Sequence, residues 1–372
     1  MRRPMPETRR VAGAAEDSIL HAFALAQSTD GRGLECPLDS RSPMQPSPAL
    51  LADAAAFGSA EAPWNDLRDD DVRALAALVA SPLLIAEQDA PIAMLADAWR
   101  IDALEACRSW LVELDLAPQR LHQHLSASNA RQLGRYAEAL WRFWLSHLPG
   151  ARLHAAGLPV KDASAVRGEF DFIVSLPGLS EVQHLEMAYK FYLYRPPGDD
   201  FSRLFGPNAA DRLDRKWRHM LEVQLPLSQT ALGRAALPAH VGSVVPRACL
   251  QGWLFYPLAA GAAAPIRGVS PAHWRGWWCR SDDWQRADAP WSALAGAWTV
   301  LPRKSWIAPA AVADPAAIAS ADTCRSKIET HFATSSQAQL VAGLARAADG
   351  VWRETVRIFV VSPRWPQAAA AS

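Results

Sequence analysis

Cysteine is scarce and scattered: the 372 residues hold five, at positions 36, 107, 249, 279 and 324, with no C-x-x-C pair among them. That spacing excludes a disulfide framework and a zinc knuckle, and it suits the thiols of a reducing compartment. No apolar run approaches the roughly 20 residues that a helix needs to span a bilayer. The first residues lack the charged-then-apolar pattern of a signal peptide, so a cytoplasmic location and no membrane partner are expected. Net charge is also missing, since 38 Lys and Arg balance 38 Asp and Glu, and no global pull toward nucleic acid or anionic lipid follows. There is no P-loop, Rossmann glycine pattern, G-x-S-x-G elbow or H-E-x-x-H helix. Their absence argues against nucleoside-triphosphatase, dehydrogenase, serine-hydrolase and zinc-protease chemistry.

Apolar residues, in contrast, make up 50% of the chain, enough for one large core or two modest ones. The balanced charge is unevenly placed. Residues 1–200 carry 19 basic and 27 acidic side chains, and residues 201–372 carry 19 and 11, so the C-terminal half is the side that suits an anionic partner. Ten of the 16 tryptophans fall between Trp253 and Trp365. Rings in such numbers mainly fill a core, although a few can stack on bases or line an interface.

Residues 1–62, rich in Ala, Pro, Ser and Arg, read as a disordered leader, with Met44 as an alternative start. A helical region follows over 63–127, in "WNDLRDDDVRALAALVASPLLI", capped by Asn65 or Asp69, and in "AWRIDALEACRSWLVEL". Within 128–258 the spacing predicts a helix in "NARQLGRYAEALWRFWLSHLPG", a strand in "ARLHAAGLPVKD" and a hairpin, "GEFDFIVSL" and "VQHLEMAYKFYLY", turning at Pro177-Gly178. It then predicts a helix in "PNAADRLDRKWRHMLEVQL", capped by Asn208, and a strand in "RACLQGWLFYPL". The Trp-rich extension, 259–366, adds a strand in "AWTVLPR", a helix in "SSQAQLVAGLARAA" with Thr334 and Gln337 in capping-box spacing, and a last strand in "TVRIFVVSP". The fold class expected is α/β, a mixed central sheet with flanking helices.

The hairpin carries the chemistry. On a strand the side chains alternate faces. In the second strand Gln183, Leu185, Met187, Tyr189, Phe191 and Leu193 form one, nearly apolar face, and Val182, His184, Glu186, Ala188, Lys190 and Tyr192 form the other. In the first strand Glu169, Asp171 and Ile173 oppose Phe170, Phe172 and Val174. Asp171 and Glu186 therefore face one side within a cross-strand step, where their carboxylates can converge on a divalent cation. Magnesium is commonly held by one or two carboxylates with waters and substrate phosphates. Lys190 then has a use, holding an attacking water or stabilising phosphoryl charge.

At these residues the sequence resembles the PD-(D/E)XK nuclease-like superfamily, and more closely an uncharacterised bacterial domain-of-unknown-function family near it. The resemblance implies a restriction-endonuclease-like core. It implies magnesium or manganese held by Asp171, Glu186 and Glu138, with Lys190 catalytic beside Asp171 and Glu186, and with Glu169 and His184 in support. One position departs from the pattern. Ala188 stands where the superfamily has its lysine, which places Lys190 about 13 rather than about 7 Å from Glu186 along a regular strand.

The implied function is a metal-dependent phosphodiester hydrolase on DNA or RNA, with Arg215, Lys216 and Arg218 meeting phosphates. Bland alternatives stand beside each assignment. Glu186 and Lys190 at i,i+4 make a helix ion pair if the segment is helical, and Glu138 can pair with Arg142. His184 can be a hydrogen-bonded bystander, and the basic helix, interleaved with Asp211 and Asp214, can be a solvated face. The competing functions are a non-catalytic binding or scaffold protein on a degenerate nuclease fold, and an enzyme using the same carboxylates as acid and base on another substrate. Oligomeric state is not readable from the sequence.

Overall fold

The computed structural model describes residues 62–128, 130–260, 265–286 and 289–367. The leader expected over 1–62 lies outside these apart from Ala62. The first helix, α1 (Asp70–Ala80), starts at Asp69, whose carboxylate accepts from the N–H groups of Asp71 and Val72 at 3.0 and 3.1 Å. Of the two caps that the sequence offers, Asp69 is the one used. Asp69→Ala is expected to lower stability by about 1 kcal/mol in urea unfolding, the usual worth of such a cap. The second predicted helix breaks at Cys107 into α2 (Asp97–Ala106) and α3 (Arg108–Leu116), with α4 (Gln119–Ala127) and α5 (Leu133–Leu145) following. α5 buries Tyr136, Leu140, Trp141 and Trp144, the stripe its spacing predicts.

The strands join one ten-stranded mixed sheet. β1 (Arg152–Lys161), β2 (Val166–Ser175) and β3 (Val182–Tyr194) form an antiparallel meander. β5 (Val244–Pro257) then lies parallel to β3, paired from Val182↔Val244 to Leu193↔Phe255. Between them in sequence come the short β4 (Leu204–Phe205), α6 (Leu213–His219), a π turn (Met220–Gln224), a 3-10 turn (Leu225–Gln229) and α7 (Ala231–Ala236). The helix predicted from Asn208 is thus shorter and irregular. It starts after Arg212 without a side-chain cap, and Asn208 instead accepts from the N–H of Ala210 in a turn.

β6 (Trp274–Arg280) continues parallel beside β5. α8 (Ser281–Gln285), β7 (Ala297–Leu301), β8 (Ala311–Val312), α9 (Ala321–Thr334), β9 (Gln339–Arg346) and β10 (Trp352–Val361) complete the sheet, in the order β1-β2-β3-β5-β6-β10-β9-β7. Two expectations fail in this half. "SSQAQLVAGLARAA" is not a helix but leads into strand β9, because it pairs on both sides, with β10 and β7, and Gly343 leaves room for Trp298 and Val356. The helix lies just before it, α9, in a segment whose weak apolar pattern buries little more than Cys324 and Ile328. The tryptophans of this region are core: Trp253, Trp284, Trp291 and Trp298 are fully buried, with Trp284 and Trp291 stacked at 3.7 Å.

β3 is covered on both faces. Leu185, Met187 and Phe191 enter the main core, while Phe170, Ile173 and Val160 form a smaller cluster with Leu227 and Ala236 of the segment after α6. The face that carries His184, Glu186 and Lys190 therefore also lies under protein, and His184 and Glu186 on it are 0% exposed. Phe170 and Ile173, three residues apart, share that cluster, so the alternation of β2 slips at Asp171. Opposite the slip stands Gly157 in β1, at φ +62°, a conformation glycine adopts without strain. No described helix is long and apolar enough to cross a membrane.

Candidate acid-pair site at the hairpin

The ladder between β2 and β3 is regular from Val174↔Gln183 to Phe172↔Leu185. Its next pair would be Asp171 with Glu186, and there side chains replace it. The N–H of Asp171 donates to Glu186 Oε1 at 3.3 Å, and the N–H of Met187 donates to Asp171 Oδ2 at 3.0 Å. The slipped alternation thus brings the two carboxyls together between their own strands. They are close enough for the charge of Glu186 to raise the proton affinity of Asp171. Burial, then the charge of Glu186, pushes Asp171 up to about 8, and burial pushes Glu186 up to about 7.

Glu186 has two further side-chain contacts. His184 Nε2 meets Oε1 at 2.8 Å, and Gln224 Nε2 donates to Oε2 at 2.5 Å. Burial lowers His184 to about 4, so the ring is neutral, and its Nδ1 meets the Ser228 hydroxyl at 3.0 Å. Gln224 lies in the π turn, an irregularity that recurs at functional positions. Its Oε1 accepts from Lys216 Nζ at 2.7 Å.

Lys216 is therefore not an exposed phosphate contact in line with its neighbours. Arg215 and Arg218 are exposed, whereas Lys216 is half-buried, its pKa lowered first by desolvation and then by Lys190, against the pull of Asp171 and Glu186. The sequence holds a signal for this. Leu213, Trp217 and Met220 are the buried stripe; on the helical wheel Lys216 flanks it and Gln224 continues it. Lys190 takes a different partner from the one expected, pairing with Asp211 at 2.7 Å rather than with the carboxyls four residues back. The distance along β3 is the physical reason.

Glu138 on α5 is half-buried, and its pKa is raised by burial and by the charges of Asp171 and Glu169. Its ion pair is with Arg135, at 3.6 Å, rather than with Arg142. Glu169 is exposed and lies beside Gly157. Asp171, Glu186, His184, Gln224 and Lys216 thus form one connected network, with Glu138 next to it electrostatically. Among the described residues, the ligand-type trio whose donor atoms lie within 4.8 Å of one another is elsewhere, at Asp69, Asp71 and His122. There Asp71 already receives Tyr136 Oη at 2.6 Å and Lys304 Nζ at 2.8 Å, and Asp69 caps α1, so the trio fastens the start of that helix.

Fold and site together define a mixed α/β protein with an acid, histidine and lysine network inside its sheet. The chain matches the DUF1853 family, a domain of unknown function, over residues 73–361, and it belongs to that family. No curated protein and no solved structure matches it.

Proposed function

We propose that the protein is a metal-dependent phosphodiester hydrolase acting on nucleic acid, built on a PD-(D/E)XK-like core. The observation that carries this reading is the meeting of Asp171 and Glu186 between adjacent strands, both with raised proton affinity, beside a half-buried ammonium. The element order supports it: α5, the β1–β3 meander, α6, then β5 parallel to β3 is the succession that the resemblance implies. The donors suit a hard divalent cation. Two neighbouring carboxyls and a third, Glu138, nearby offer the oxygens that magnesium or manganese prefers, and a cation would offset the burial and the Glu186 charge that raise the proton affinity of Asp171.

Asp171, Glu186 and Glu138 would hold the metal, which when bound supplies Lewis acidity and an activated water. Lys216 takes the part that the resemblance gives to a strand lysine. Desolvation moves its amine toward neutrality, which suits it to hold or take up a proton, and Gln224 positions it against Glu186. His184 fixes the Glu186 carboxyl from the other side.

The non-catalytic reading has one observation in its favour: Glu186 is fully buried with each oxygen already engaged. Titration calorimetry with magnesium and manganese separates the two. Wild type is expected to bind one ion, with Asp171→Asn and Glu186→Gln at least about tenfold weaker and cleavage of labelled DNA or RNA reduced about a hundredfold or more, as for loss of a principal catalytic group. Absence of metal binding by wild type would leave the scaffold reading, as would cleavage that both variants retain.

A further inference from the structure

A cleft of about 1080 Å³ opens between residues 189–191 of β3, the 206–211 loop and the C-terminal segments 332–338 and 362–367. Its charged lining is one-sided. Among the described residues, Lys190, Arg303 and Arg364 face it, against one carboxylate, Asp211. The side chains of Arg303 and Arg364 are exposed and make no hydrogen bond or ion pair with the described residues; that of Arg303 instead lies over the ring of Trp306, 5.6 Å from its centroid. The half-buried ring of Phe332 lines the same space. Cations with spare donors beside aromatic surface form the combination that follows a phosphate backbone while giving bases a face to lie on.

Size selects the kind of strand. Clefts of roughly 300–1,000 Å³ enclose small ligands, so this one has room for a stretch of few nucleotides, and bases can lie on an aromatic face only where they are not paired and stacked in a duplex. Position selects the direction. Lys190 lies on the same face of β3 as Glu186, four residues or about 13 Å further along. Its charge is felt by Lys216, so the cleft and the acid network adjoin. Asp211, about a third exposed, is the exchangeable partner of Lys190, and a phosphate arriving in the cleft would compete with it.

We propose that this cleft binds a single-stranded segment of nucleic acid, with phosphates at Lys190, Arg303 and Arg364, and delivers it to the acid pair. The destination rests on the hydrolase reading; the binding does not, and the test keeps them apart. Anisotropy of a short fluorescein-labelled oligothymidylate is measured in EDTA, with no metal available for cleavage, against wild type and the Arg303→Ala, Arg364→Ala double variant. Both side chains are exposed, so unchanged melting confirms that the variant folds.

The expected result is binding by wild type and at least about tenfold weaker binding by the variant. The slope of log K against log salt should be shallower by about 1.4, two phosphate contacts at about 0.7 each for a single strand. Weaker binding of the matched duplex supports the cleft as well. No binding by wild type, equal binding by the variant, or a duplex bound as tightly as the strand overturns the proposal. A mononucleotide that competes as well as the oligonucleotide also overturns it, assigning the space to a small ligand. If the strand binds as expected but no metal-dependent cleavage is found, the cleft stands and the hydrolase reading falls. Cleavage unaffected by the double variant has the opposite meaning.

Discussion

The Asp171→Asn protein is expected to melt at a higher temperature than wild type at about pH 8, and the gap should narrow as the pH falls through 6 and close only toward 4. In the folded chain Asp171 is pushed up to about 8 and Glu186 to about 7, above their ordinary 3.8 and 4.5. The unfolded chain therefore releases these protons first. The folded form holds more protons through the window between, and its stability falls as the pH rises toward 7 and 8. Each proton so held is worth about 1.4 kcal/mol per pH unit.

The histidines act in the reverse sense at lower pH. Burial lowers His184 and His273 to about 4, below the ordinary 6.5, so their contribution is complete above 6.5 and is lost as the pH falls toward 4. Above about pH 6.5, then, the acids dominate the slope. The Asp171→Asn side chain does not titrate, so the variant keeps only the slope of Glu186, and its melting curve should level off above about pH 7 while that of wild type goes on falling toward 8. Magnesium should flatten the wild-type curve too, if the ion occupies the pair. Parallel curves for the two proteins across pH 6.5 to 9, followed by differential scanning calorimetry, would contradict the raised proton affinity of Asp171.

Arg357→Met is expected to destabilise the protein by about 3–5 kcal/mol, the range for stranding one member of a buried ion pair. Arg357 in β10 is fully buried. Its Nε and Nη2 meet Glu354 at 2.6 and 2.9 Å, and Nη1 and Nη2 donate to the carbonyls of Trp306 and Ala308 at 2.6 and 2.7 Å. The guanidinium also lies over the Trp253 ring, 4.0 Å from its centroid. One side chain thus ties β10, β5 and the 306–308 segment together. Losing it leaves Glu354 charged and buried, with the N–H of Ala310, at 2.7 Å, in partial compensation. Adding Glu354→Gln to Arg357→Met should recover part of the loss, because the uncompensated charge goes with it. Urea unfolding that shows a single-variant loss under about 1 kcal/mol would contradict this.

The hairpin and the approach of Asp171 to Glu186 were legible because a two-residue period fixes which side chains oppose each other across a tight turn. What covers that face was not. Alternation separates two faces, and it does not say whether the polar one meets water. Here it meets the 213–236 segment, and its polar groups satisfy one another: Glu186 through His184 and Gln224, and His184 through Ser228. Lys216 was read as surface charge because of the arginines around it, although its place beside the Leu213, Trp217 and Met220 stripe already set it apart. The 339–346 segment misled for another reason. Its Ala and Leu content favours a helix locally, and only pairing with two distant strands decides otherwise.

The pairing of β3 with β5 runs without interruption through both Glu186↔Ala248 and Lys190↔Gly252. At the second of these, φ at Gly252 is +141°, and a Cβ there would fall 1.7 Å from the Lys190 carbonyl oxygen. Two hydrogen-bonded strands locked this closely cannot stretch or slide relative to each other. The stretch of β3 between Glu186 and Lys190 therefore behaves as a stiff spacer, holding the buried acid pair and the mouth of the cleft at a separation that thermal motion of the strand barely alters.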